Sequence, residues 1–328
     1  MKFKKILKWI GSIIVLLAIF MYLNNSSLFT KERNGDPLLL AHRGLSQTFS
    51  MEGIKGDTCT AERIFEPEHP YLENTIPSME AAFDAGADIV EFDIRPTKDG
   101  QFAVFHDWTL DCRTNTTGEP KAYTMDELKK IDIGYGYTAD DGKTYPFRGK
   151  GIGLMPSLKE VLSHFPDKSF LIHIKSNDRE EGVQLAQLLS NLSGNQQNQI
   201  AVYGGDEPIA ALKGKLHNIR VMSKSTLKSC LIPYIAVGWT SHVPEACRET
   251  QIHIPEKIAP WLWGWPDKFL NRLEEVDTRV IVVAGDGSWS EGFDAVEDLD
   301  RLPEGYSGGI WTNRIDKIAP VFHHKKSR

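Results

Sequence analysis

A chain of 328 residues, 41% of them hydrophobic and 25% charged, holds enough apolar side chains for one large folded body and excludes a disordered or fibrous protein. Four of the 38 basic residues and none of the 44 acidic ones precede residue 31, so the body that follows carries −10 against −6 for the whole chain. An acidic body speaks against a nucleic-acid partner, whose phosphates demand clustered Lys and Arg, and any anionic substrate must be met by a local cationic site.

At the N-terminus Lys2, Lys4, Lys5 and Lys8 precede the apolar run "WIGSIIVLLAIFMYL", Trp9 to Leu23. A basic flank followed by an apolar segment is the pattern of a secretory signal or an uncleaved membrane anchor. The run is short against the roughly 20 residues of a spanning helix, although the uncharged stretch continues to Thr30. No A-x-A cleavage site follows. The expectation is an uncleaved anchor over residues 1–30, with residues 31–328 as a single domain outside the cytoplasm, periplasmic or extracellular. A cleaved segment would leave that domain secreted.

Beyond Pro37, short aliphatic or β-branched runs alternate with helical patterns. The strand candidates are 37–42, 87–94, 169–175, 199–204, 219–223, 251–255, 279–285 and 308–313. Runs apolar on both faces and separated by amphipathic helices, such as "NTIPSMEAAFDAG", "PSLKEVLSHF", "REEGVQLAQLLSNL" and "PDKFLNRLEEV", indicate parallel strands. A ninth run, "QFAVFHD" (101–107), follows the second strand too closely for a crossover. The intervening Asp99-Gly100 reads as a hairpin turn, making this run an antiparallel excursion. Eight parallel strands favour a closed (β/α)₈ TIM barrel over a doubly wound sheet. The first strand is followed by no phosphate-binding glycine fingerprint.

Reactive groups in such a barrel sit at the C-terminal ends of the strands. The first strand ends in His42-Arg43. In "VEFDI" the acids Glu91 and Asp93 share one face, because side chains alternate along a strand. "LIHIK" gives His173 and Lys175 the same relation, and the hairpin delivers His106-Asp107. Each residue alone has a structural explanation, as a hydrogen-bonded strand-end histidine, a solvated acid or a surface lysine. If Val90, Phe92 and Ile94 face the helices, however, Glu91 and Asp93 face the barrel axis, where two carboxylates repel unless a proton or cation intervenes. Oxygen ligands favour Mg²⁺ or Ca²⁺, and an added histidine admits Mn²⁺ or Zn²⁺. The four cysteines, Cys59, Cys112, Cys230 and Cys247, have no C-x-x-C spacing. In an exported domain their even number suggests disulfides, with Cys59–Cys112 and Cys230–Cys247 the favoured pairing and four free thiols the alternative.

The blocks "AHRG" and "ENTIPSMEAAFDAGADIVEFDIRPTKDGQFAVFHDWTLDCRTN" resemble the glycerophosphodiester phosphodiesterase family, a TIM-barrel family. "GIGLMPSLKEVL" is similar to the segment before its third strand, and "YSGGIWTNRIDKIAP" to its closing strand and helix. The resemblance implies that His42 and His106 are the acid/base pair and that Glu91 and Asp93 hold a divalent metal. It further implies that Arg43 and Lys175 bind the phosphate and that Glu73 supports the site. The chemistry agrees: displacement at a phosphodiester needs one proton taken, one proton given, and cations against the phosphoryl charge.

Three features depart from the resemblance. The third strand carries His173 where the family usually has Glu, which makes His173 a candidate ligand or a hydrogen-bonded wall residue. Residues 46–72 fill a usually shorter loop on the catalytic rim and are expected to cover or narrow the pocket, with a Cys59–Cys112 bridge tying this lid to the hairpin. Trp261, Trp263 and Trp265 follow the sixth parallel strand, either as packing or as an apolar wall. The leading expectation is metal-dependent hydrolysis of glycerophosphodiesters to an alcohol and glycerol 3-phosphate. A lysophospholipase D or sphingomyelinase D-like activity on lipid phosphodiesters and a catalytically silent binding barrel are the alternatives.

Overall fold

The computed structural model describes residues 2–27, 33, 35–55, 58–288 and 291–323. The end of the expected anchor segment (28–30), its boundary with the following domain, and residues 56–57 of the inserted loop lie outside the described residues.

The described residues hold nine strands: β1 (Leu38–His42), β2 (Ile89–Pro96), β3 (Phe102–Val104), β4 (Ser169–Ile174), β5 (Ile200–Gly204), β6 (Arg220–Met222), β7 (Gln251–Pro255), β8 (Arg279–Val283) and β9 (Gly309–Thr312). Their order is β6-β5-β4-β2-β1-β9-β8-β7, with every ladder on that path parallel. This is the expected eight-stranded barrel, nearly closed. At the β6/β7 seam the described residues show no backbone ladder, and the Thr250 hydroxyl donates instead to the Val221 carbonyl. β3 pairs antiparallel with β2, as the Asp99-Gly100 turn predicts.

Strand parity divides the core. Leu39, Ala41, Val90, Phe92, Ile94, Phe170, Ile172, Val202, Val282 and Ile310 belong to the layer between barrel and helices. Leu40, Ile89, Leu171, Ala201, Ile281 and Trp311 form a separate cluster inside the barrel. Because Ile89 points inward, Glu91 and Asp93 must as well. The described α-helices are α1 (Lys2–Asn25), α2 (Ile76–Ala85), α3 (Met125–Leu128), α4 (Leu158–His164), α5 (Arg179–Leu189), α6 (Gly194–Gln199), α7 (Asp206–Lys213), α8 (Lys224–Val237), α9 (Asp267–Glu274) and α10 (Ile315–His323), and those that cover the outside start and stop where local chemistry dictates. In α2 (Ile76–Ala85) the Thr75 hydroxyl accepts from Ser78 N while Pro77 sits in the first turn; Gly86, at φ 112°, closes the helix. In α4 (Leu158–His164), Ser157 and Glu160 cap each other's backbone.

The inserted loop is not a loose flap. Ala61, Ile64 and Leu72 from it pack with Phe105, Leu110, Met125, Leu128, Tyr137, Phe147 and Met155 from the excursion between β3 and α4, forming a second small core above the rim. Both expected disulfides are present, Cys59–Cys112 with Cα atoms 6.0 Å apart and Cys230–Cys247 at 4.6 Å. At the N-terminus α1 (Lys2–Asn25) contains a 23-residue apolar span, Phe3–Asn25, none of whose best window is buried. It is longer than the Trp9–Leu23 run suggests because Phe3, Ile6 and Leu7 interleave with the lysines.

The bridges close sequence separations of 53 and 17 residues, so their loss should cost about 4 and about 3 kcal/mol through unfolded-state entropy. Denaturant unfolding of C59A/C112A and C230A/C247A in the full chain checks this, with the larger loss expected for the first pair.

Candidate active site

The register of the ladders brings the charged residues together. His42 lies opposite Glu91, and Asp93 lies opposite His173, which in turn faces Tyr203. All of these project into the C-terminal mouth of the barrel. Glu91 and Asp93 are buried, and His42 and Arg43 nearly so. Donor atoms of Glu91, Asp93 and His173 all lie within 4.8 Å of one another.

Each carboxylate is held on several sides. Glu91 accepts from Tyr203 OH at 2.7 Å and from the Arg43 backbone N–H at 3.2 Å, and stands 3.7 Å from His42 Nε2. Arg43 adopts φ 60°, a left-handed conformation uncommon for a side chain of its size. That turn lets its N–H reach Glu91 while its carbonyl accepts from Asn74 N at 3.0 Å. Asp93 accepts from Asn74 Nδ2 at 3.1 Å and His173 Nδ1 at 2.9 Å, with Arg43 Nε at 3.4 Å and Lys175 Nζ at 3.6 Å. Burial acts against ionisation of Asp93, but Lys175, His106 and Arg43 outweigh it and hold its carboxyl well below the usual range. Burial, reinforced by the charge on Asp93, pushes Glu91 up. Burial lowers Lys175 and brings His173 down to about 4, leaving its imidazole neutral and able to ligate. Two buried carboxylates and a neutral imidazole, short of positive charge, form a donor set that fits a divalent cation.

The two histidines are oriented by different partners. His42 Nδ1 bonds Asn313 Oδ1 at 2.6 Å, so the Nδ1–H donates, and Nε2 carries the lone pair that accepts from Arg43 Nε at 3.2 Å. His106 Nδ1 donates to Asp107 Oδ1 at 2.6 Å, and its Nε2 accepts from Lys175 Nζ at 2.9 Å. Burial followed by the Arg43 charge depresses both imidazoles. The effect is larger for His42, and for His106 the hydrogen bond to Asp107 opposes it.

Behind them lies a node that sequence reasoning missed. Arg113 is fully buried and pairs with Asp107 at 2.9 Å and Glu73 at 3.0 Å, and it also donates to the Tyr137 hydroxyl and, at 2.8 Å, to Thr60 Oγ1. Glu73 in turn pairs with Arg43 Nη1 at 3.1 Å. Asn74, Tyr203 and Asn313 were likewise unmarked. Asn74 follows Glu73 directly, and Tyr203 and Asn313 lie at strand ends, where the barrel rule points to reactive groups. All eight residues expected at the site (His42, Arg43, Glu73, Glu91, Asp93, His106, His173 and Lys175) converge. A cavity of about 300 Å³ opens beside them, lined by His42, Arg43, Phe49, Met51, Glu291 and Asn313 among others. The first residues of the inserted loop, Ser46 to Phe49 and Met51, thus form part of the wall of the mouth. The tryptophans do not line this cavity: Trp263 and Trp265 pack against the core, and Trp261 faces outward.

A parallel (β/α)₈ barrel with convergent carboxylates, histidines and cations at its C-terminal mouth defines a barrel protein with a TIM-type active-site arrangement. The glycerophosphoryl diester phosphodiesterase family is matched over residues 42–206, half of the chain, and the chain belongs to that family. It is 40% identical over 103 residues to the glycerophosphodiester phosphodiesterase of Caldanaerobacter subterraneus subsp. tengcongensis, a stretch covering 31% of this chain and 39% of that relative. The chain is also similar to the crystal structure of a glycerophosphodiester phosphodiesterase from Agrobacterium tumefaciens, with a TM-score of 0.58, 21% identity, and coverage of 87% and 98% of the two chains. An Oleispira antarctica phosphodiesterase solved in complex with the product sn-glycerol-3-phosphate matches with a TM-score of 0.55, 16% identity, and coverage of 88% and 97%.

Arg113→Ala leaves buried Glu73 with Arg43 alone and half-buried Asp107 with His106 alone, and should cost about 3 kcal/mol. Urea unfolding of the full chain measures this, and a loss below 1 kcal/mol would contradict the node's importance.

Proposed function

We propose that this chain hydrolyses glycerophosphodiesters to an alcohol and glycerol 3-phosphate, using His42 and His106 for proton transfer and Glu91, Asp93 and His173 to hold a divalent metal. The observation that carries this reading is the meeting of two oriented histidines and a cation-deficient carboxylate pair at one mouth. The family match and the product bound by the Oleispira antarctica relative support the substrate class.

Roles follow from the geometry. His42, anchored through Nδ1, offers Nε2 as the base for the attacking hydroxyl. His106 is the better proton donor, because Asp107 stabilises its imidazolium; Nε2, which accepts from Lys175 while the ring is neutral, carries the proton to the leaving oxygen once Lys175 turns to the phosphate. Arg43 and Lys175 meet the phosphate oxygens, Arg43 with a planar fork. Bound divalent metal would supply charge stabilisation of the phosphoryl oxygens. The ligand set admits Mg²⁺ or Ca²⁺ through its carboxylates and Mn²⁺ or Zn²⁺ through His173. The substrate is a small-molecule or lipid diester. α1 tethers the barrel, and its basic flank leaves the barrel outside the cytoplasm.

The full chain in nanodiscs should turn over glycerophosphocholine, lose that activity in EDTA, and recover it with one of Mg²⁺, Ca²⁺ or Mn²⁺. His42→Ala and His106→Ala should each reduce kcat about 10²–10⁴-fold. Unchanged kcat in both variants would refute the assignment. Phe49 and Met51 in the cavity wall give a lipid diester some footing, and preferred cleavage of lysophosphatidylcholine would move the reading to that alternative. His173→Glu, which adds a third carboxylate, should shift affinity toward Mg²⁺ and away from Mn²⁺ in calorimetric titration.

A further inference from the structure

We propose that α1 is a permanent part of the fold and that the flank of the barrel formed by α8 (Lys224–Val237) and the 258–263 loop rests in the interface of the bilayer that α1 enters. This inference is independent of the catalytic reading.

The joint between α1 and the barrel comes first. Lys268, on α9 (Asp267–Glu274), donates to the carbonyls of Leu23 at 2.9 Å and Asn24 at 3.0 Å. Arg272, on the same helix, donates to Asn24 O at 2.8 Å and Asn25 Oδ1 at 3.0 Å. Two cations thus cover the last carbonyls of α1, where the orphan acceptors and the negative end of the helix dipole lie. The Asn24 amide also donates to Trp239 O at 2.7 Å and accepts from Ser241 Oγ at 2.9 Å, and the Phe20 ring meets Trp239 edge-on at 6.3 Å. Arg272 is only 7% exposed. Arg272 also donates to Tyr234, Gly238, Trp263 and Ser241, so the end of α1 is one side of a many-partnered buried guanidinium, and cutting α1 away as a signal peptide would remove two of its acceptors and open it to water.

A rigid joint fixes where the bilayer lies. The apolar span is about 35 Å long at roughly 1.5 Å per residue, enough for a hydrocarbon core of about 30 Å. Its last residues are bonded to the barrel, so no linker separates lipid from the surface around Trp239.

That surface is apolar. From Trp239 the strip continues along one face of α8 through Ile235, 52% exposed, and Ile232, 64% exposed. Lys228, one turn further, falls on the same face, with a stem long enough to follow apolar surface and a head that stays wet. Trp263 Nε1 donates to Ile235 O at 2.8 Å and ties the neighbouring loop to α8. Trp261, two residues earlier, is 83% exposed, and Ile258 is also exposed. Clustered exposed Ile and Trp beside an apolar helix mark a lipid-facing surface, with the indole rings at headgroup depth. Lipid is the occupant because α1 brings it to this place.

Two measurements on the full chain test the proposal. The intact mass of the membrane-extracted protein should include residues 2–25; a chain beginning beyond residue 25 overturns it. In nanodiscs, NBD fluorophores on Ile235→Cys and, separately, Trp261→Cys should lose emission to a headgroup nitroxide lipid and resist aqueous iodide. The same label on Lys159→Cys, on α4, should respond to iodide alone. Iodide quenching of the 235 and 261 labels equal to that at 159, with no nitroxide effect, overturns the docking surface. Two labelled positions, both exposed, keep the outcome readable if one substitution disturbs folding.

Discussion

Glu91 and Asp93 are two carboxylates buried one inward position apart on a single strand, and the surrounding structure is arranged to make that tolerable. Ionised groups in a dry interior cost several kcal/mol each unless paired and hydrogen-bonded. Asp93 is drawn toward its charged form because Lys175 and Arg43 stand within 3.6 Å and Asn74 and His173 bond it directly. Glu91 is offered only hydrogen bonds, from Tyr203 and the Arg43 backbone, and its proton affinity rises. The asymmetry leaves a deficit of positive charge at one point of the barrel mouth, which is the physical argument for a cation there.

The same constraint reaches into the backbone. A β1 that ran straight on past His42 would leave Glu91 the Tyr203 hydroxyl alone as donor. The left-handed turn at Arg43 supplies a second, and it turns the guanidinium back over the mouth, where it touches His42, Glu73 and Asp93 together. Glycine would adopt that conformation at no steric cost but would bring no charge. The strain at one residue is thus offset by three electrostatic contacts.

Much of this was legible in the sequence because burial on both faces leaves a strong signal. All eight parallel strands and the hairpin announced themselves as apolar runs bounded by turns, and the parity of "VEFDI" fixed which way its acids point. Residues acting through others left no such signal. Arg113 looked like one of 38 basic residues, since nothing local distinguishes a fully buried guanidinium from a surface one. Tyr203 closed a strand whose neighbours were plainly hydrophobic, and its partner is 112 positions away. The α1 joint escaped for a similar reason, because its donors, Lys268 and Arg272, sit on a short amphipathic helix that reads as solvent-facing.

The inserted loop is better understood as part of the site's foundation than as a cover added to it. Thr60 from the loop, Asp107 behind His106, and Glu73 behind Arg43 all meet on the one guanidinium of Arg113. Cys59 and Cys112, the chain neighbours of Thr60 and Arg113, are joined covalently. A movement of the loop large enough to open the cavity would have to pull on Arg113, and through it on both the imidazole of His106 and the guanidinium of Arg43. Buried charge networks resist such displacement, because a half-broken one leaves uncompensated ions in a low dielectric. The Phe49 and Met51 side of the loop, which lines the cavity, stands on the same foundation, because Thr48 and Ser50 exchange backbone bonds with Phe65 and Arg63 and Phe49 bridges Ile64, so the wall of the mouth is held together with the charges behind it.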